Sequence, residues 1–393
     1  MSYYKNSENK EKHKPSYIIH KLSLYISKNF NIFNIQKKNK HDNNRNKLSY
    51  NLYHYHTKIP YQIDNFIEKS NHQNFNKTWL KISRLQKQPN KNILKPLKKI
   101  ECKHVNITSL ISFWKNPIQN FFNKRLHIKL NPIEVHDLKK ENFQINKLNN
   151  YTINLNIIDF LLKKKDTKKL FLYFKSKNII PHGCLGEIYW ENQISSLEPL
   201  CKKINTIKTK LIDKKFCFKI KKYTVYGTLK NINETGLLRW KPNFITNKDM
   251  ISLWLEHLIC CSIFKTSYSI MLSPKNKSLI FLKIKKKRAN DLLNKYIIGY
   301  LNGMQNPLLL TNSGIIWLNS VYNKKNQTIS KNIEILKKSR KKMMNVWEGN
   351  NWIQGEKHNL YLKKIIYTLD KKIESKICNV AKKWILPILK HIK

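Results

Sequence analysis

The sequence predicts an α/β fold, a small mixed core flanked by helices, and three observations carry that prediction. Phe216, Phe218 and Ile220, then Tyr223 and Val225, alternate with polar residues at the period of a half-buried strand. Residues 227–242 read as two further strands around a turn, because residues 231–236 are rich in turn formers. On both sides of these strands apolar residues recur at helical spacing. Ile111, Trp114, Ile118, Phe121, Phe122 and Leu126 precede them, and Met250, Ile251, Leu253, Trp254, Leu255, Leu258 and Ile259 follow.

Taken in order, residues 1–100 are polar and rich in Asn and Lys. Tyr17, Ile18, Leu22, Leu24, Tyr25 and Ile26 predict one short amphipathic helix after Pro15, with Ser16 as its N-cap. Residues 35–50 and 68–100 read as linker. Residues 105–180 read as mostly helical with an interruption near Pro117, and Ile157, Ile158, Phe160, Leu161 and Leu162 continue the pattern. Thr246 opens a helix, with Asp249 placed to complete a capping box. Residues 278–284 suit a strand, and residues 289–303, 329–347, 358–367 and 371–392 suit helices. All nine glycines lie at or beyond Gly183, so the earlier part offers few sites for tight turns. The expected division is residues 1–100 and residues 101–393.

The chain has 393 residues, 41% of them hydrophobic, which excludes a disordered protein and allows a large core. Its formal charge is +52, from 76 Lys and Arg against 24 Asp and Glu. Such a chain attracts polyanions, nucleic acid first among them. A second origin stays open: nearly all the basic residues are lysine, and Lys, Asn and Ile abound, as in the products of AT-rich genomes. The seven cysteines are irregularly spaced with no CxxC pair, which argues against zinc and for free thiols in a reducing cytoplasm. No signal-peptide core and no run of about 18 apolar residues occurs, so neither export nor a membrane span is expected.

The chemistry is most legible at residues 186–241. A metal-dependent phosphodiester nuclease needs carboxylates converging on a cation that activates water. In the nuclease domains of recombination helicases a helix carries G-x-x-x-H, a strand carries Asp, and the next strand carries Asp-x-Lys. Here Gly186 is followed by Trp190 at the His position. Lys230 stands at the first Asp position and Arg239 at the second, while Lys241 keeps the lysine. Those cations cannot hold Mg²⁺, and unopposed they favour a phosphate. Lys230, Arg239 and Lys241 are therefore candidate DNA contacts, and no catalytic residue is assigned. Trp190 and Trp240 are candidates for stacking on unpaired bases, with burial in the core the more ordinary fate of a tryptophan. His257, in an apolar helix, reads as a satisfied core histidine. Lys285, Lys286, Lys287 and Arg288 read either as a DNA-facing ridge or as a solvated helix start. Of the nearby carboxylates Glu187, Glu191, Glu234 and Asp249, none falls in the order an active nuclease requires.

These residues sit in a longer ordered match. Residues 236–242 (GLLRWKP) with 253–258 (LWLEHL), Phe113, Trp114 and Pro117 with Phe121, Phe122 and Arg125, residues 183–191, Gly299 and Tyr300 with Gly303 and Met304, residues 307–309, residues 347–350 and residues 386–388 together resemble the C-terminal part of the RecC family, the gamma subunit of exonuclease V. Weaker agreement appears at Asn6, Ser7 and Glu8, at Pro15 and Ser16, at residues 56–61, and at Trp79 and Leu80. The resemblance implies a degenerate restriction-endonuclease-like core of PD-(D/E)XK type, preceded by a remnant of a helicase-like domain. It implies a non-catalytic subunit of a RecBCD-type helicase–nuclease in double-strand break repair by homologous recombination. Such a subunit holds RecB and RecD, binds double-stranded DNA ends and guides single-stranded DNA. ATP and Mg²⁺ are expected on the partner subunits, since no GxxxxGK[ST] loop occurs here. Chi recognition is expected to be lost, because the match begins near the end of the helicase-like region. The alternatives are a remnant of a decaying gene and a basic RNA- or ribosome-binding protein.

Overall fold

The computed structural model describes residues 16–29, 61–67, 73–84, 96–130, 145–207, 210–233, 236–264, 268–274, 278–350, 353–366 and 368–393. The weaker matches at residues 6–8 and 56–60, Pro15, Glu234 and the middle of the 231–236 turn lie outside them. The chain divides into two units, Met1–Pro89 and Asn90–Lys393.

In the first unit, helix α1 spans Tyr17–Asn29, and its Ile19 N–H donates to Ser16 Oγ at 3.4 Å, the expected cap. Helix α2, Lys77–Arg84, falls in a stretch predicted as linker. Asn76 explains it: its Oδ1 accepts from the N–H groups of Thr78 and Trp79, and Trp79 packs against Tyr61.

The second unit begins with β1 (His104–Asn106) and α3 (Ile107–Lys115), then the short α4 (Pro117–Asn120) and a π-turn at Phe121–Arg125. The predicted interruption is real. Pro117 sits at the start of α4, where no amide hydrogen is needed, and Asn116 caps it. Helices α5 (Lys147–Leu162), α6 (Thr167–Ser176) and α7 (Cys184–Ile207) follow. Next come β2 (Ile212–Ile220), β3 (Tyr223–Asn233), β4 (Gly236–Trp240), α8 (Asn247–Ile263), β5 (Tyr268–Leu272) and β6 (Ser278–Leu282). The chain closes with α9 (Lys286–Gly303), α10 (Asn312–Val321), β7 (Tyr322–Asn323), β8 (Thr328–Ile329), α11 (Ile333–Glu348), the single turn α12 (Leu360–Lys363) and α13 (Lys371–Leu389). The helix expected over 358–367 is thus a 3₁₀ turn at Glu356–His358 followed by α12.

The sheet is mixed. β2, β3 and β4 form an antiparallel series, β4 pairs parallel with β5 across α8, and β6 closes antiparallel to β5. β1 runs parallel to the first half of β3. Alternation sorts the two faces. Leu237 and Met271 point into the main core with α3, α8, α9 and α13, while Leu238, Ile270 and Leu272 point to a second cluster under α5–α7. A third cluster joins Ile118, Phe121 and Phe122 to Met343, Trp347, Tyr361 and Ile377.

Two glycine sites explain how the layers close. A Cβ on Gly299 would lie 2.8 Å from Trp114 Cζ2 and overlap the Trp384 ring, so only glycine lets α9 meet both indoles. Gly236 has φ +151°, and a Cβ there would collide with the Tyr268 carbonyl at the start of the parallel β4–β5 pair.

Candidate functional site

Three of the candidates, Lys230, Arg239 and Lys241, lie on β3, on β4 and just after it. In β4 the period of two puts Arg239 on the face of Leu237, toward α8, with Lys241 continuing that face. In α8, Asp249 and Glu256 stand two turns apart on one side of the helix. The result is two ion pairs between strand and helix. Arg239 Nε donates to Glu256 Oε2 at 2.9 Å, and Lys241 Nζ donates to Asp249 Oδ2 at 2.5 Å. All four side chains are between 16% and 20% exposed, so the pairs are substantially shielded from water.

Arg239 does more than pair. Its Nη1 donates to the Leu238 carbonyl at 3.1 Å and also to the Lys230 carbonyl, which ties β4 back to β3. That contact falls where the β2–β3 register shifts between Ile212 and Lys214. There Asn231 takes φ 51° and its N–H donates to Asp213 Oδ1 at 3.0 Å. Such a bulge re-aims one side chain, and the Lys230 side chain is exposed. Asp249 is also the capping-box residue of α8. Its Oδ2 accepts from the Thr246 N–H at 2.8 Å and from Thr246 Oγ1 at 2.6 Å. Burial would raise the Asp249 carboxyl, but the hydrogen bonds from Lys241 and Thr246 and the Lys241 charge outweigh it and hold the pKa below the ordinary value.

The structure does not bring the five candidates together. Trp190 is 6% exposed and packs on Phe171 and Phe174 of α6 at centroid distances of 5.5 and 6.4 Å. Trp240 is half-buried against the same second cluster, on the face of β4 opposite Arg239 and Lys241. Trp190 is therefore a core side chain, as the plainer of its two readings has it. The unopposed positive charge expected at Lys230, Arg239 and Lys241 differs from what is found. Arg239 and Lys241 are matched by carboxylates, and only Lys230 offers its ammonium to solvent. Glu256, the partner of Arg239, is the residue that sequence reading passed over. Its signal was the seven-residue spacing from Asp249 facing two strand cations two residues apart.

The residues present do not suit a divalent cation at these positions. Arg239 and Lys241 are cations, and the two carboxylates beside them, Glu256 and Asp249, are each engaged by one of them. Among the described residues no three His, Cys, Asp or Glu side chains gather where a metal ion could be held. His257 is the satisfied core histidine expected. Its ring nitrogens lie 2.8 Å from Ser269 Oγ and 3.0 Å from the Leu282 carbonyl, and it is 1% exposed. Burial lowers its pKa to about 4; the Leu282 hydrogen bond raises it, and the His391 charge adds to the lowering. Lys286, Lys287 and Arg288 form the exposed first turn of α9.

Residues 103–322 match the family model described as RecC C-terminal domain. A RecBCD enzyme subunit RecC of Buchnera aphidicola subsp. Baizongia pistaciae is 42% identical over 376 residues, 95% of this chain and 34% of the relative. Its counterpart in Buchnera aphidicola subsp. Acyrthosiphon pisum is 34% identical over 96% of this chain and 35% of the relative. That of Escherichia coli K12 is 25% identical over 96% of this chain and 33% of the relative. The chain thus spans about a third of the length of the curated relatives it matches.

Proposed function

The chain belongs to the RecC C-terminal domain family, and from that premise we propose that it serves as a non-catalytic subunit of a RecBCD-type helicase–nuclease acting in repair of double-strand breaks by homologous recombination. In this reading residues 101–393 are a silenced restriction-endonuclease-like domain with added C-terminal helices. Residues 1–100 are what remains of a helicase-like domain and its linker. The partners are RecB and RecD, which carry ATP and Mg²⁺, and the DNA handled is a duplex end and the strands separated from it.

The observation that supports the silenced-nuclease reading is a cation at each of the two carboxylate positions, Lys230 on β3 and Arg239 on β4, the latter paired with Glu256. The order α7–β2–β3–β4–α8–β5, with three antiparallel strands and a fourth parallel to the third, places these residues on neighbouring strands of one sheet. Of the two positions where carboxylates would be expected, Lys230 is exposed and Arg239 is tied to Glu256, while Lys241, the retained lysine, is tied to Asp249. In this reading a guanidinium paired with a carboxylate stands in place of a metal ligand. No membrane role enters the reading: among the described residues no helix is long and apolar enough to cross a membrane.

Co-expression with the large helicase–nuclease subunit of the same organism tests the proposal. The expected result is co-elution on size-exclusion chromatography and faster unwinding of duplex ends than without the chain. Separate elution, with unwinding unchanged by the chain, would sink it. Degradation of DNA by the purified chain in Mg²⁺ would overturn the silenced-nuclease part alone.

A further inference from the structure

Away from the β4 site, helices α9 and α13 enclose a groove with a cavity of about 490 Å³, the size of a ligand cleft. Arg288 and Lys295 line it from α9, Lys382 and Lys383 from α13, and Lys390 from just beyond, and no Asp or Glu lines it. Among the described residues none of these cations is in an ion pair. The groove floor is aliphatic, with Leu292, Ile298, Leu386 and Pro387, and Ile298 is 41% exposed. Pro387 has no amide hydrogen to donate to the Lys383 carbonyl one turn earlier, and both residues line the groove.

Cations on the rim call for an anionic occupant, and the floor decides which kind. Single-stranded nucleic acid binds where aromatic faces stand free for its bases. Here the rings are engaged. Trp384 is 8% exposed and packs on Trp114 at 4.6 Å and Tyr296 at 5.5 Å. His391 packs on Trp254 at 5.1 Å, and its Nδ1 is 2.7 Å from the Pro387 carbonyl. Aliphatic side chains are what this floor can receive.

We infer that the groove between α9 and α13 takes an acidic, amphipathic segment of a partner protein. The aliphatic face of that segment lies on Ile298 and Leu386, and its carboxylates meet Lys295, Lys383 and Lys390. The inference rests on the reading of this chain as a subunit of an assembly.

The test uses the full chain and three fluorescent probes. One is a helical peptide of leucines at amphipathic spacing with glutamate elsewhere, the second its scrambled isomer, the third oligothymidylate. The amphipathic peptide is expected to bind about tenfold tighter than the scrambled one. The combined Lys295→Gln, Lys383→Gln and Lys390→Gln variant should weaken it at least about tenfold. Ile298→Ser, an exposed change that spares folding, should weaken the peptide about fivefold and leave oligothymidylate within about twofold. Equal binding of the two peptides, or a peptide indifferent to both variants, overturns the inference. So does a lysine variant that weakens oligothymidylate as much as the peptide while Ile298→Ser changes nothing, which would make the groove a nucleic-acid site. Peptide binding as expected without co-elution of the large subunit would keep the groove and reject the subunit reading. Co-elution without peptide binding would do the reverse.

Discussion

Asp249 shows how much one side chain can hold. It closes the capping box of α8 and holds Lys241, so Asp249→Ala removes a cap and strands a shielded ammonium. The expected loss is about 2–3 kcal/mol in urea denaturation. Asp159→Ala, which breaks the exposed Lys163–Asp159 pair, should cost no more than about 0.5 kcal/mol. His257 sets a pH dependence. Its folded pKa, about 4, lies below the ordinary 6.5, so its contribution is fully present above about pH 6.5. Below that the unfolded chain takes up the proton first. Stability should fall as pH drops from about 6.5 to about 4, by on the order of 3 kcal/mol. Denaturation midpoints measured across that window check it, and His257→Phe should flatten the slope. Asp249, held below its ordinary pKa, adds a further loss only at more acid pH.

At the scale of elements, α9 is the helix on which packing turns. Gly299 receives the edges of Trp384 and Trp114, and Gly303 lies against Phe113 in the same way. The Trp114 Nε1 donates to the Tyr296 carbonyl at 3.2 Å, and the Tyr296 hydroxyl donates to the Trp384 carbonyl at 2.7 Å, so three helices share one aromatic knot. Gly299→Ala should cost about 1–3 kcal/mol through overpacking, although alanine is the better helix former. Thermal melting and the near-ultraviolet dichroism of the tryptophans are the readouts, and an unchanged aromatic signal would refute it. The β4–α8–β5 crossover is the other element that matters, since its two ion pairs fix the helix against the strand that precedes it.

For the whole molecule, charge governs behaviour. With a formal charge of +52, the chain should bind duplex DNA without sequence preference. Its affinity should fall by about a hundredfold or more between 50 and 200 mM salt. Fluorescence anisotropy across a salt series measures this, and a flat series would contradict it. Because Arg239 and Lys241 are already paired, Arg239→Gln should leave that affinity within about twofold while lowering stability. A tenfold loss of DNA binding from that variant would return the site to the role its sequence suggests.

What the sequence by itself determined is what depends on neighbours along the chain. The strands over 212–240 follow from alternation, the start of α8 from Thr246 and Asp249, the break at Pro117 from its missing amide hydrogen, and the burial of His257 from its place in an apolar helix. The ordered motifs likewise carried the family. Helix α2 was missed because its stretch is polar, with a cap at Asn76 and few apolar anchors. Only the tertiary structure decided what the basic residues on β4 do. A cation's chemistry depends on the charges facing it, and Glu256 reaches Arg239 from another element across 17 residues of chain. It likewise set Trp190 and Trp240 on the far side of the strand from those cations, because the twofold alternation of β4 selects a face only once both faces are covered.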